Sequence, residues 1–351
     1  ILNIPLMERY RVWFILFYSL IVGALISDLK ECINLLPASW SGQDLARATS
    51  GAAATLLGKI YLRNHDYANA KTYIDMVLNS GQYELESDFK YVWSENNKYG
   101  KEMIFALLHE TGNNAAEIAC HFGPSDHPEV PGRWQYYGVS LPFWRSYDKE
   151  DPRREFFYYD YTGDAKRDDQ SDYGFHYMVP EEGVTVVPND TTKYMQNVAT
   201  MKYTYDMISD AYYDGRTICI FRLSDVILCK AEIENNLNGP AAALPYLNQI
   251  RARAGAPEYG KHNRFPAPST KETMNDAILK ERGYELVFEF QRRADLIRFG
   301  KYEEVVNAHL KKLGIAQPTN VTSSLRYFPY PLNDAQLNPN LAAENPSRLP
   351  K

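Results

Sequence analysis

The feature that most constrains the fold is residues 51–78, GAAATLLGKIYLRNHDYANAKTYIDMVL. Apolar residues recur at helical spacing on both sides of the break RNHD, which predicts two helices joined by a tight turn. The first helix carries small residues that let a neighbouring helix approach closely: Gly51, Ala52, Ala53, Ala54 and Gly58. Because two helices of this size cannot bury both of their apolar faces alone, the pattern predicts stacked neighbouring helices.

A second segment, residues 224–255, repeats this layout. A shift of 173 positions aligns four pairs of close-packing or core positions: Ala231 with Gly58, Ala243 with Ala70, Leu247 with Ile74 and Ile250 with Val77. In the first segment Leu57, Gly58, Tyr61 and Ala70 follow the L-G-x2-Y...A spacing of a tetratricopeptide hairpin. Any two amphipathic hairpins share some positions, but we favour a true structural repeat.

The chain between the hairpins, residues 83–223, loses helical periodicity and is rich in Gly, Pro, Asp and aromatic residues. Short apolar runs at 102–109, 183–188 and 217–223 predict strands within it. Helices return at 224–254 and 273–312. The predicted fold is therefore all-α, with a tetratricopeptide-like scaffold (26–82 and 224–312), a loop-rich insertion (83–223), an extended C-terminal tail (313–351) and an apolar N-terminal segment (1–25).

Charge and cysteine content argue against several function classes. The 351 residues include 38 Lys and Arg against 44 Asp and Glu, a net charge of −6, with no basic block. Nucleic-acid-binding proteins normally need clustered positive charge, so we expect no nucleic-acid partner. The four cysteines form no C-x-x-C pair and the seven histidines form no cluster, so we expect free thiols, no metal centre and no cofactor.

The N-terminal apolar run, residues 13–27, is uncharged and follows Arg9 and Arg11. This arrangement is typical of a secretory signal, but it is equally compatible with a packed amphipathic helix. Fifteen residues are too few to span a bilayer comfortably. The sequence leaves both alternatives open.

Five stretches taken together, residues 26–37, 47–85, 221–255, 278–302 and 330–346, resemble the SusD/RagB-like outer-membrane glycan-binding lipoproteins. The resemblance implies an α-α superhelix of tetratricopeptide hairpins that displays irregular ligand-binding loops. It further implies binding of oligosaccharides or polysaccharides without catalysis, on the cell outer membrane. The implied protein partner is a SusC-like TonB-dependent transporter, to which the glycan would be delivered.

One departure from the family concerns the N-terminus. Only about 25 residues precede the helix DLKECINLLP, where members carry a signal peptide, a lipidated cysteine and a long helical first part. We therefore expect a truncated or divergent chain, attached to the membrane through a lipid anchor that this sequence does not contain. Two other functions stay open: an α-helical glycoside hydrolase and a tetratricopeptide scaffold that binds a peptide.

Two clusters of carboxylates are candidates for chemistry. The predicted helical path through 281–298 carries charged residues at steps of three and four: Glu281, Glu285, Glu289, Arg292, Asp295 and Arg298. Paired carboxylates serve glycosidases as acid and base, but acidic and basic residues at this spacing more often satisfy each other, and we favour a structural network. The acidic loop 160–172 contains oxygen ligands that calcium prefers, but a solvated loop is the better interpretation.

The candidate ligand site is the aromatic segment 133–161, in a chain with 27 Tyr against 15 Phe. Tyr keeps a polar tip beside its apolar face, which suits a wet surface. A sugar ring presents an apolar C–H face and a rim of hydroxyls, so aromatic faces and polar side chains together bind it. In this segment the aromatic candidates are Trp134, Tyr136, Tyr137 and Trp144, and the polar ones are Arg133 and Gln135. A second group of aromatic candidates, which includes Tyr212 and Tyr213, precedes the second hairpin, and we expect it to meet the first group in space. Each single aromatic residue has packing in the core as its alternative.

Overall fold

The computed structural model describes residues 6–110, 118–124, 127–130, 134–163, 175–183, 192–206, 215–314, 322 and 336–337, and describes only the backbone of 6–19. The helices are α1 Leu6–Leu35, α2 Ser50–Arg63, α3 Tyr67–Leu78, α4 Ile118–Phe122, α5 Leu141–Arg145, α6 Leu223–Asn238, α7 Pro240–Arg253, α8 Lys271–Glu285, α9 Arg292–Arg298 and α10 Tyr302–Lys312. The strands are β1 Met103–Leu107, β2 Val139–Ser140, β3 Phe157–Tyr158, β4 Asp160–Thr162, β5 His176–Met178, β6 Thr192–Tyr194, β7 Asn197–Thr200 and β8 Ile218–Arg222.

The first hairpin, α2 and α3, forms where the sequence predicts it. Thr49 caps α2 by accepting a hydrogen bond from the backbone N–H of Ala52 at 3.1 Å, and Asp66 caps α3 in the same way. Gly58 lets the helices approach closely, because a Cβ on it would lie 2.9 Å from the side chain of the fully buried Ile74. The small residue is therefore required by packing.

The two hairpins stack through α3 and α6. Ala70, Ile74 and Val77 of α3 share a core with Val226 and Ile233 of α6. A second core joins α6, α7 and α8, and it contains Ala231, Ala243, Leu247, Ile250, Met274 and Ile278. The positions aligned by the internal repeat are thus all buried, which is what stacked hairpins need. At the other end α1 packs on α2 through Leu29.

The fold is not all-α, and the predicted class is confirmed only for the helical scaffold. The described residues of the insertion form three small sheets, ordered β1-β8, β2-β7-β3 and β4-β5-β6. All their pairs are antiparallel except β5 with β6. Strands β1 and β8 confirm two of the predicted apolar strand runs, and most of the third, 184–188, lies outside the described residues. Short strands separated in sequence gain their stability only by pairing, which sequence periodicity does not reveal.

The predicted helical path through 281–298 is interrupted, so a single helix over these residues is wrong. Helix α8 ends at Glu285, and Phe288 and Phe290 both have φ of 60° before α9 begins. The ring of Phe288 packs 5.0 Å from that of Phe122, and its carbonyl accepts a hydrogen bond from the Tyr203 hydroxyl. These tertiary contacts outweigh the local preference for helix.

Helix α1 joins the N-terminal apolar run and the helix DLKECINLLP without a break. Leu20 and Ile21 are exposed, and packing against the scaffold begins near Ile26. Within the described part of the chain, no helix combines the length and the apolarity that crossing a membrane requires.

Candidate functional site

The aromatic segment beginning at Trp134 is held by the end of α4. The backbone N–H of Trp134 donates to the carbonyl of Cys120 at 2.7 Å, and the N–H of Tyr137 donates to that of His121 at 3.1 Å. Cys120 and Phe122 are buried, so α4 anchors the segment to the core. The segment therefore has a defined place on the surface.

Three predicted ligand residues come together around the ring of His121. Its centroid lies 5.2 Å from that of Trp134, 5.4 Å from Tyr136 and 6.3 Å from Tyr137. The Trp134 and Tyr136 rings are 5.4 Å apart with 33° between their planes. These three aromatic residues are 40%, 65% and 54% exposed, respectively. We call Trp134, Tyr136, Tyr137 and His121 the aromatic surface.

A turn at Gln135 gives this surface its shape. Gln135 has φ of 50°, a left-handed conformation that is uncommon outside glycine. Its side-chain amide donates to the Asn197 side-chain oxygen at 3.2 Å, which ties the turn to β7. Gly138 permits the approach of Asn197, since a Cβ there would lie 2.5 Å from the same oxygen. Gln135 therefore holds the turn in place at the edge of the surface.

Trp144 does not belong to the aromatic surface, which corrects its assignment as a ligand residue. Its ring is buried in a core with Tyr147 and Val198. The indole N–H donates to the Arg154 carbonyl at 3.2 Å, and the Arg154 guanidinium lies 4.2 Å from the ring centroid. With its face covered and its N–H satisfied, Trp144 has nothing left to offer a ligand.

The remaining predicted ligand residues, Arg133, Tyr212 and Tyr213, lie outside the described residues. The structure adds His121, Phe122 and Asn197, which the sequence did not single out. No local pattern marks them, because each meets the aromatic segment through a tertiary contact. A histidine on a five-residue helix carries no periodic signal of its own.

Glu281 and Glu285 of α8, with Glu289 just after it, form a buried charge network with cations from distant segments. Glu285 pairs with Arg153 at 3.0 Å, with Arg222 at 2.7 Å and with Arg253. Glu289 pairs with Lys202 at 2.6 Å and with Arg222 at 2.7 Å. The other members are Glu102, Asp151, Glu281 and Arg251. The structural interpretation is confirmed, but the partners of these glutamates are not the arginines of α9 that the sequence suggested.

Electrostatics makes Glu285 unsuited to acid catalysis. Burial alone raises the pKa of Glu285, but Arg253, Arg222 and Arg153 outweigh it and hold that pKa well below its usual range. A catalytic acid needs its pKa raised and its oxygen accessible to substrate. Glu285 meets neither condition, because it is fully buried and stays ionised.

No group of three or more potential metal ligands occurs among the residues that the structure describes. In the predicted acidic loop, Asp160 accepts a hydrogen bond from His176 at 2.7 Å, whereas residues 164–172 lie outside the described ranges. The four cysteines, Cys32, Cys120, Cys219 and Cys229, are free, as expected.

Comparison with known proteins gives consistent matches. SusD-like protein P25 of Formosa agariphila is 26% identical over 342 residues, which cover 91% of this chain and 62% of that protein. The starch-binding protein SusD of Bacteroides thetaiotaomicron is 28% identical over 137 residues, which cover 38% of this chain and 22% of that protein. The chain therefore spans less than two thirds of the length of these relatives.

A solved structure has the same fold. Surface glycan-binding protein A from Bacteroides thetaiotaomicron, in complex with laminarihexaose, superposes with a TM-score of 0.65 at 21% identity, over 90% of this chain and 68% of that one. A family model described as the SusD family matches residues 101–347. Because this match covers well over half of the sequence, the chain belongs to the SusD family.

Proposed function

We propose that the chain binds glycans, without catalysis, at the aromatic surface. The observation that carries the proposal is the gathering of Trp134, Tyr136 and Tyr137 around His121, with all three rings open to solvent. Large aromatic groups grouped on a surface commonly mark an interaction site. A sugar can cover their faces with its C–H groups, while the tyrosine hydroxyls bond to its own hydroxyls.

Two relatives support a glycan as the ligand. One is described as a starch-binding protein, and the structure of another contains laminarihexaose. Both names concern glucose polymers, and both proteins resemble this chain. Which glycan this chain takes depends on its own loops, so we extend to it only the ligand class.

Two rival functions have less support. Glu281, Glu285 and Glu289 are buried and paired, so they have no access to a glycosidic bond. A peptide-binding scaffold would use the groove of its hairpins, whereas the exposed aromatic cluster lies on the insertion. We expect purified protein to release no reducing sugar from any glycan that it binds, and sustained release would favour the hydrolase.

We further propose that the chain works on the surface of the cell outer membrane, beside a SusC-like TonB-dependent transporter. Family membership supports this placement. The test is fractionation of cells that produce the native gene product, followed by affinity purification. Co-purification of a transporter barrel from the outer-membrane fraction supports the proposal, and a protein confined to the cytosol refutes it.

The glycan site is tested with Trp134→Ala. Loss of one stacking aromatic group costs about 1–3 kcal/mol, by analogy with bases stacked on aromatic side chains. The affinity should therefore fall by roughly five- to 150-fold, measured by calorimetric titration with the best ligand from a glycan array. The melting temperature should change little, because Trp134 is substantially exposed.

The matched control is Tyr91→Ala, which removes an exposed aromatic residue outside the aromatic surface. It should bind like the wild type. Equal affinities for the wild type and Trp134→Ala would remove the aromatic surface from consideration. A large drop in the melting temperature of Trp134→Ala would assign that residue to the core.

A further inference from the structure

A cleft of about 390 Å³ lies between α5, α8 and α10, and it shares no residue with the aromatic surface. Phe143 and Tyr284 line it together with the apolar side chains of Leu279 and Val305. Its volume falls within the range of pockets that hold small molecules, at the lower end. The cleft can therefore accommodate a ligand with one apolar face.

The cleft is positively charged in a chain whose net charge is −6. It is lined by four cations, Lys280, Arg292, Lys301 and Lys312, against two carboxylates, Asp276 and Glu304. The Lys301 Nζ lies 3.2 Å from a carboxylate oxygen of Glu304 and 3.6 Å from one of Asp276. Both carboxylates therefore form their ion pair with Lys301. Within the described part of the chain, the other three cations form no salt bridge.

Arg292 is the most constrained of these cations. Its Nη1 donates to the Leu279 carbonyl at 2.7 Å, and the guanidinium lies against the bare backbone of Gly283, where a Cβ would be 3.1 Å from Nη1. Burial lowers the pKa of Arg292. By contrast, the buried Arg282 pairs with Asp225 and Asp295 at 2.7 and 2.8 Å. Asp295 acts on Arg292 electrostatically, but among the described residues no carboxylate lies within salt-bridge distance of it. A partly buried guanidinium with further N–H donors and no salt bridge suits an anion.

We propose that this cleft binds an anionic sugar unit, with the anion at Arg292 and the sugar face against the half-buried ring of Phe143. Lys280 and Lys312 at the exposed rim add attraction. The anion is a carboxylate, as in a uronic acid, or a sulfate ester, since a guanidinium fork accepts either. The choice of a sugar rests on the proposed glycan-binding function, whereas the charge of the ligand rests on the cleft itself.

The test is calorimetric titration of the whole chain with three probes: methyl glucuronide, methyl glucoside 6-sulfate and methyl glucoside. At least one anionic probe should bind, and the neutral probe should bind at least about tenfold more weakly, as the loss of a charge-assisted hydrogen bond implies. Binding should weaken between 50 and about 500 mM salt, because the rim charges are screened. If only one anionic probe binds, its anion, carboxylate or sulfate, is the group that the cleft recognises. If both bind, the cleft recognises either anion through the Arg292 guanidinium.

Arg292→Gln should weaken binding of the anionic probe by about tenfold or more. Because Arg292 also ties α9 to α8, the double variant Lys280→Gln/Lys312→Gln provides a second test on exposed positions. It should keep the wild-type melting temperature and lose several-fold in affinity together with part of the salt dependence. Lys90→Gln, an exposed lysine elsewhere, should bind like the wild type.

Trp134→Ala separates the two sites. It should leave binding of the anionic probe unchanged even if it abolishes binding of a neutral glycan. The cleft proposal is overturned if neither anionic probe binds the wild type, if the neutral probe binds as tightly, or if the lysine and arginine variants bind like the wild type. None of these results tests the aromatic surface, which is tested separately by titrating Trp134→Ala with a glycan.

Discussion

At the scale of single residues, Glu285 is a fully buried carboxylate. A carboxylate taken out of water is tolerated only when cations and hydrogen bonds replace its hydration. Glu285 obtains this from Arg153 and Arg222, which come from the insertion, and from Arg253 on α7. One side chain therefore joins three segments that are far apart in sequence.

Glu285→Gln should destabilise the protein by about 3–5 kcal/mol, since removing one partner leaves buried cations without compensation. The measurement is the free energy of unfolding from urea titration. Glu84→Gln provides the control, because Glu84 and Lys101 form a pair on the surface and its loss should be hardly measurable. If both variants proved equally stable, the network would contribute nothing specific to the fold.

At the scale of the helices, the close approach of α2 and α3 depends on Gly58. Gly58→Ala gains up to about 1 kcal/mol of helix propensity. It also overpacks the core against Ile74, which typically costs about 1–3 kcal/mol, so we expect net destabilisation. Urea titration of Gly58→Ala, Ile74→Val and the double variant should show the double to be more stable than the sum of the single changes predicts. If the changes in the free energy of unfolding were strictly additive, the Cβ added at position 58 would not be in contact with the side chain of residue 74.

The hairpins were predictable because their signal is local, whereas the sheets and the site needed long-range information. Helical spacing and small residues at Gly58 and Ala70 indicate a packed hairpin without reference to the rest of the chain. Trp134 and Trp144 lie on one polar-aromatic segment, and nothing nearby in sequence distinguishes the exposed ring from the buried one. What separates them is the Arg154 carbonyl and guanidinium, which satisfy and cover only Trp144.

At the scale of the whole molecule, the buried carboxylates predict sensitivity to acid. Burial raises the pKa of Asp225, but Lys59 and Arg282 outweigh it, and the pKa is held below its usual range, like that of Glu285. A folded-state pKa below the unfolded one contributes stability that is complete above the unfolded value and is lost as the pH falls. The unfolded values are about 3.9 for Asp and 4.3 for Glu.

The free energy of unfolding should therefore hold steady from pH 7 to about 5 and fall steeply below about 4.5. Urea titrations at intervals between pH 7 and pH 3 measure this profile. Glu285→Gln should start lower and decline less steeply, because one of the groups that must take up a proton is gone. A wild-type profile that is flat to pH 3 would contradict the assignment of both carboxylates.

The charge network joins the insertion to the scaffold, which limits how the insertion can change during evolution or engineering. The insertion supplies Arg153, Lys202 and Arg222, and their partners on the scaffold side are the carboxylates of Glu285 and Glu289. A loop region grafted from a relative onto this scaffold must therefore bring its basic anchors with it, or it leaves unmatched acids inside the recipient. The turn from Trp134 to Tyr137, where we propose that the glycan binds, holds none of these anchors, so its sequence can change without disturbing the charge network.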